Sequence, residues 1–94
     1  MAEFIPTFPK DHDEHLDYGV DWAAWLFDGD TISASAWELS VGALAKTDEE
    51  FTTLLTTVWL AGGTAGKTYR VTNHITTVQG READRSFFIA IADR

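Results

Sequence analysis

The stretch that decides the fold is AGGTAGKT, residues Ala61–Thr68, together with the run that follows it, Tyr69–Val78. The eight letters satisfy the loose form of the phosphate-binding Walker A pattern, and the apolar run Val58–Leu60 precedes them as a strand would. A phosphate loop of that kind opens a helix, because the helix amides and dipole hold the anion. The residues after Thr68 alternate between apolar and polar side chains instead, so the pattern predicts a strand, a turn and a second strand, and argues against nucleotide binding.

The turn is predicted to be a structural corner, in which glycine accepts backbone angles that residues with a Cβ resist. Lys67 is then a turn residue that faces solvent. The predicted corner residues are Gly62, Gly63, Gly66 and Tyr69.

Alternating side chains predict strands on both sides of this corner. Two such runs, Tyr18–Trp22 and Ile32–Leu39, flank an Asp-Gly turn signal and are predicted to form an antiparallel pair. The strand from Tyr69 is predicted to bury Tyr69, Val71, Asn73 and Ile75, and the last strand, Arg85–Ala92, to bury Phe87, Ile89 and Ile91. Trp22, Trp37 and Trp59 are assigned to inward positions. Short strands at near-regular spacing predict an all-β fold, a β-sandwich.

Residues 47–55 are open between helix and strand. Thr47 and Glu50 have the spacing of a capping box, and apolar residues from Phe51 onward recur at helical intervals. Against a helix, the segment is rich in threonine, which is β-branched and suits strands better. A strand is predicted only from Thr56 to Leu60.

Composition limits the possible partners. The 94 residues make one domain, with no cysteine for disulfides or a thiolate metal site. The net charge is −8, which repels nucleic acid and anionic membranes. Residues 1–30 carry eight acidic groups and one lysine, and residues 61–94 carry five basic groups and three acidic ones. Such polarity suits a subunit that docks end to end, and it also suits an ordinary domain with two faces. With no signal peptide pattern and no membrane span, we expect the chain to be made and kept in a cytoplasm.

The chain is divided into an extended N-terminal arm, residues 1–16, and a β-sandwich domain, residues 17–94. The arm holds both prolines and an acidic run, which resist regular structure and burial. Its apolar residues, Phe4, Ile5 and Phe8, could grip a neighbouring subunit or fold back on their own domain. Trp25, near a strand end, is a second candidate contact residue, because tryptophan is enriched at subunit interfaces.

No catalytic, cofactor or metal site is predicted, and we expect the protein not to be an enzyme. His12 and His15 would meet at one metal only on a helix, which the proline-led arm disfavours. His74 is isolated on the polar face of its strand and is interpreted as solvated or hydrogen-bonded. No cysteine nucleophile exists, and no strained-turn signature marks a catalytic serine.

Two resemblances sharpen this interpretation. The run Gly66–Thr72, GKTYRVT, resembles the entry to the penultimate strand of many immunoglobulin-like domains, where a tyrosine packs at a corner. Residues 16–92 also resemble a family of small tailed-phage and prophage virion proteins labelled fibre-tail adaptor. The matching stretches are Leu16–Tyr18, Val20–Trp22, Gly29–Ile32, Trp37, Thr57–Gly66, Tyr69, Thr72–Asn73, Ile75–Thr77, Gly80–Arg81 and Asp84–Ser86.

This resemblance implies an immunoglobulin-like sandwich of about seven strands in a non-enzymatic virion protein, present in several copies on the tail or neck, made in the bacterial host and bound to other virion proteins. Two rivals stay open at this point. One is a head, neck or capsid decoration protein. The other is a carbohydrate-binding or adhesive module, in which Trp22 and Trp25 form a sugar-stacking surface.

Overall fold

A computed structural model describes residues 6–92 of the chain. In that range the chain forms seven β-strands and no helix. The strands are β1 (Thr7–Asp11), β2 (His15–Asp21), β3 (Ile32–Leu39), β4 (Leu44–Phe51), β5 (Leu55–Gly62), β6 (Thr68–Thr77) and β7 (Glu82–Ala92). One sheet has the strand order β1-β7-β6-β3 and the other β2-β5-β4. The β1–β7 pair is parallel and the other pairs are antiparallel. The predicted all-β sandwich with seven strands is therefore confirmed.

The glycine stretch joins β5 to β6 directly, and no helix follows it. Gly62, Gly63 and Gly66 have φ values of 77°, 101° and 83°, in the region that glycine tolerates best. A Cβ on Gly63 would lie 2.6 Å from Ile91 Cδ1, so the close packing of this turn also requires glycine. The Tyr69 hydroxyl accepts a hydrogen bond from the backbone N–H of Thr64 at 3.0 Å, which ties the turn to the first residues of β6.

The core lies between the inward faces of the two sheets. The predicted inward residues of β6 and β7 are all buried, because their period-two pattern matches the pleat of the strands. A smaller cluster at one end consists of Trp22, Ile32 and Ile75. The main cluster consists of Trp37, Leu44, Val58, Leu60, Tyr69, Val71, Phe87, Ile89 and Ile91.

Two predictions about pairing and orientation are wrong. β2 pairs with β5 and β3 pairs with β6, so β2 and β3 lie in opposite sheets. Residues 22–31 between them are too many for a tight hairpin, and they carry the chain across the sandwich. Trp59 points outward, because β5 buries Thr56, Val58 and Leu60 and leaves its odd-numbered residues on the other face.

The segment left open between helix and strand forms a β-hairpin. β4 ends at Phe51 and β5 begins at Leu55. Thr52 closes the turn, since its N–H donates to the Leu55 carbonyl at 2.8 Å and its hydroxyl accepts from the Leu55 N–H at 3.1 Å. The apolar residues at helical spacing, Phe51, Leu54 and Leu55, are exposed rather than aligned on a buried face.

Part of the predicted arm lies in the sandwich. Residues 7–11 form β1 beside β7, and the proposed boundary after residue 16 falls inside β2. Lys10 is buried, and its Nζ donates to the Gly62 carbonyl at 2.7 Å, while burial lowers the pKa of its amine. The fold-back alternative therefore describes residues 7–11. Phe4 and Ile5 lie outside the described residues.

Candidate interaction surface

One side of the sandwich is open between β2 and β7. β1 pairs with β7 only from Phe88 to Ala92, so the first half of β7, Glu82–Phe87, has no strand on that side within residues 6–92. A groove of about 420 Å³ lies here, lined by Pro6, Phe8, Gly19, Val20, Asp21, Arg85, Ser86 and Phe87. We call this region the β2–β7 side. An uncovered strand edge beside a groove is an arrangement that binds extended peptide segments.

The groove has an apolar floor and a charged rim. Phe8 packs against Phe87 and Tyr18, with ring centroids 5.5 and 5.8 Å apart, and 37% of Phe8 stays exposed. Asp21 and Arg85 supply one acidic and one basic group at the rim. Of the predicted contact residues, Phe8 is therefore placed on this surface, with part of its ring already used by its own domain.

Trp25 extends the β2–β7 side past Arg85, next to the buried Trp22. The Arg85 guanidinium lies 4.9 Å from the centre of the Trp22 ring, and Trp25 packs edge-on against Trp22 at 5.6 Å. Trp25 is half-buried, so part of its indole is available to a partner. Trp22 is fully buried, which removes it from the sugar-stacking surface considered from the sequence.

A buried polar network lies beneath this surface. Asn73 Oδ1 accepts from Trp22 Nε1 at 3.0 Å and from the Thr56 hydroxyl at 2.7 Å. Asn73 Nδ2 donates to the Ser35 hydroxyl at 2.9 Å and to the Ala36 carbonyl at 3.0 Å. The sequence pattern placed Asn73 on the inward face and gave it no role. An amide among apolar inward residues was the signal, since buried polar groups need partners.

His74 is not isolated, contrary to the sequence interpretation. Its Nδ1 pairs with Asp84 and its Nε2 lies 3.1 Å from Glu82, all on the exposed face of β6 and β7. The hydrogen bond to Asp84, with help from Glu82, raises the pKa of His74. Cross-strand register explains the cluster, because Asp84 is directly opposite His74 and Glu82 is opposite Thr76. The other half of that interpretation, a hydrogen-bonded histidine, agrees with this arrangement.

A buried carboxylate anchors the connection between β2 and β3. Asp30 accepts hydrogen bonds from the backbone N–H groups of Thr31 and Gln79 and pairs with Arg81 at 3.0 Å. Arg81 also lies over the Phe27 ring, 3.8 Å from its centre. Burial by itself would raise the pKa of Asp30, but the hydrogen bonds together hold it below its ordinary value. From the sequence, this segment was interpreted only as a turn.

The two histidines of the acidic run do not meet. The ring nitrogens of His12 lie 3.2 and 3.3 Å from carboxylate oxygens of Asp11 and Asp13, whereas His15 Nε2 lies 2.7 Å from the Thr47 hydroxyl on β4. Among residues 6–92, no three His, Cys, Asp or Glu side chains converge in a way that could hold a metal ion. Over that same range, the fold contains no helix long and apolar enough to cross a membrane.

Comparisons with known proteins bear on the fold of this chain and on its family. The solution structure of the PKD domain from KIAA 1837 protein is similar to this chain, with a TM-score of 0.54 and 17% identity over 100% of this chain and 85% of that one. This similarity confirms the immunoglobulin-like fold. No curated protein sequence matches significantly. A family model described as "Podophage GP4 fiber-tail adaptor protein gp77" matches residues 10–90.

Proposed function

The chain belongs to this podophage fiber-tail adaptor family, and on that premise we propose that it is a non-enzymatic structural protein of the virion. In this role it joins a tail fibre, or a neighbouring tail or neck protein, to the tail. It is present in several copies in a symmetric assembly, and its partners are proteins rather than nucleic acid or membrane. The net charge of −8 favours that choice of partner.

The observation that carries the proposal is the β2–β7 side. Within residues 6–92, Glu82–Phe87 of β7 has no partner strand on this side, and the groove beside it is lined by the apolar residues Phe8, Val20 and Phe87. An extended segment of the neighbouring virion protein can pair with that edge and place alternate side chains in the groove. Backbone hydrogen bonds then supply affinity and the groove supplies specificity.

The arm contributes to the same contact. Pro6, the first described residue, and Phe8 both line the groove. Phe4 and Ile5 precede Pro6 in the arm and are proposed to grip the neighbour together with Phe8. Trp25, exposed in part next to Trp22, continues the contact beyond Arg85. In this arrangement the sandwich is a rigid spacer and the arm fastens it.

A matched pair of substitutions tests this surface. Phe8→Glu places a charge in the groove, and Leu54→Glu places the same charge on the β4–β5 turn at similar exposure, 41% against 37%. Both proteins are supplied as the only copy during phage growth, and incorporation into particles is measured. We expect Phe8→Glu to lower incorporation at least about tenfold, since a central apolar contact contributes more than 1 kcal/mol. Leu54→Glu should match the wild type.

Melting temperatures of the purified variants show whether each still folds. Equal incorporation of the two variants would count against the β2–β7 side, and absence of the wild-type chain from particles would overturn the adaptor function itself. The arm is tested by deleting residues 2–5 only, because a longer deletion enters β1 and removes the buried Lys10. We expect this deletion to lower incorporation while the melting temperature stays unchanged.

A further inference from the structure

The outermost strands of the two sheets differ in how they are protected against pairing with another chain. β1 is five residues long, contains Pro9 and points Lys10 inward. β2 carries Asp17 and Asp21, and β4 carries a register shift and a series of charged side chains, Lys46, Asp48, Glu49 and Glu50. Proline, inward charge, surface charge and bulges are the devices by which proteins block sheet edges.

β3 lacks most of these devices. It is eight residues long, its sequence is ISASAWEL, and Glu38 is its only charged residue. Its far side has no strand beside it within residues 6–92. One irregularity is present, between Ile32 and Ala34, and the Ile32 N–H there donates to the Thr53 carbonyl. The uninterrupted and uncovered part of the edge therefore runs from Ala34 to Leu39.

The hydrogen bonds between β3 and β6 determine which backbone groups of β3 point to the open edge of the sheet. The Ser40 N–H donates to the Arg70 carbonyl, so residue 40 faces β6. Because successive residues of an antiparallel strand alternate in direction, Glu38, Ala36 and Ala34 also face β6. The backbone N–H and C=O groups of Ser35 and Trp37 then face the open side.

We propose that a second copy of this chain pairs with this edge, antiparallel, about a twofold axis at Ala36. In that register the outward groups of Ser35 bond to those of Trp37 in the second copy, and the reverse pair forms symmetrically. Ala36 meets Ala36 of the second copy across the axis, in the close type of pair with Cα atoms about 4.5 Å apart, where a small side chain fits. Ala34 lies opposite Glu38 of the second copy, so no like charges face each other.

The Trp37 side chain is directed into the core rather than towards this edge. Trp37 is 7% exposed, and the centre of its ring lies 6.0 Å from that of Phe87 on β7. Its indole Nε1 has no acceptor within the described residues. The proposed pairing therefore rests on the outward backbone groups of Ser35 and Trp37 and on the small side chains at the axis.

The dimer joins two four-stranded sheets into one continuous sheet with β3 of each copy at its centre. Because β3 and β1 are the opposite edges of that sheet, the β2–β7 side of each copy stays free at the far ends. The self-association is therefore independent of the proposed docking surface. A two-strand contact is small, so we expect a weak dimer, favoured by moderate salt that screens the charge of −8 on each copy.

Sedimentation velocity of the full chain at about 0.3 M salt and concentrations up to about 1 mM measures the dimer directly. Ala36→Lys and Ala36→Glu each place like charges opposite each other at the axis. We expect either one to raise the dimer dissociation constant at least about tenfold. An equimolar mixture of the two variants should restore a dimer, because Lys then faces Glu.

Ala34→Lys is the matched control. It adds the same charge to the same exposed face two residues away, opposite Glu38 of the second copy, and should tighten the dimer about threefold. Melting temperatures monitor folding of all three variants. A wild-type chain that stays monomeric at every concentration would overturn the proposal, as would a mixture that stays monomeric or an Ala34→Lys variant that dissociates like Ala36→Lys. Incorporation into particles reports separately on the adaptor function.

Discussion

Asn73 and His74 are neighbours on β6 and point to opposite faces of the sheet. Asn73 is fully buried and its amide has four partners on three other segments, whereas the His74 side chain is 44% exposed and pairs with two carboxylates on β7. Both make short polar contacts. The two side chains differ in their access to water. A buried group that loses its hydrogen-bond partner has no substitute, whereas an exposed group forms new hydrogen bonds with solvent.

The inner network also joins the two sheets. Trp22 follows β2 and Thr56 lies on β5, while Ser35 and Ala36 lie on β3 of the other sheet. One amide therefore fixes the relative position of the sheets beneath the β2–β7 side. The outer cluster links only two adjacent strands that are already paired. Contacts of similar length thus differ in structural consequence, which substitutions on and around β6 can measure.

The largest effect is expected for Asn73→Ala. The change leaves Trp22 Nε1 without its closest acceptor, removes partners from the Thr56 and Ser35 hydroxyls, and opens a cavity. We expect a loss of about 3–5 kcal/mol in the free energy of unfolding. Urea denaturation followed by tryptophan fluorescence measures it. A loss below about 1 kcal/mol would mean that water enters and replaces the amide.

Asp30→Asn is expected to have the next largest effect, and it depends on pH. The side chain is fully buried beside Arg81, and its pKa lies below the ordinary value. A carboxyl with a depressed folded pKa adds stability above its unfolded pKa, about 4, and loses it as the pH falls through the folded value. The wild type should therefore lose more stability than the variant between about pH 5 and pH 2. Parallel curves of unfolding free energy against pH would contradict this assignment.

The smallest effect is expected for His74→Gln, with the opposite dependence on pH. Hydrogen bonding to Asp84 raises the pKa of His74, so its contribution is complete below the unfolded pKa, about 6.5, and is lost as the pH rises through the folded value. Solvent screening limits the contribution to about 0.5 kcal/mol near pH 5.5. Urea denaturation at pH 5.5 and pH 8.5 should show a difference only at the lower pH. Asp84→Asn should give the same pattern, since it removes the main partner.

Much of the fold could be predicted because strand patterns are local. β6 and β7 alternate cleanly, and their inward residues follow from the parity of the pleat. The glycine stretch could be assigned because the residues after it alternate. Trp59 was placed on the wrong face because β5 has bulky or β-branched residues on both faces, so its parity is ambiguous. Whether β3 pairs with β2 depends on which sheet the chain enters after residue 31, and no local sequence pattern contains that information.

The sequence indicated which residues could take part in surface contacts, but not where they lie on the folded protein. Phe8 could be singled out as an apolar residue on a polar arm, but its contact with Phe87 depends on the parallel β1–β7 pair between opposite ends of the chain. The half of β7 that has no strand beside it within residues 6–92 is likewise not predictable from the sequence, because it follows from where β1 begins. His74 acquired its carboxylates through strand register, which sets neighbours eight and ten residues away.

By itself the sequence determined the all-β class, the strand that follows AGGTAGKT and the inward faces of the last two strands, because these depend on alternation and glycine chemistry within a few residues. The tertiary structure alone decided which strands are neighbours, which sheet edges stay open and which polar side chains lose contact with water. Those properties depend on contacts between residues far apart in the chain, where burial and partner geometry decide what a contact contributes.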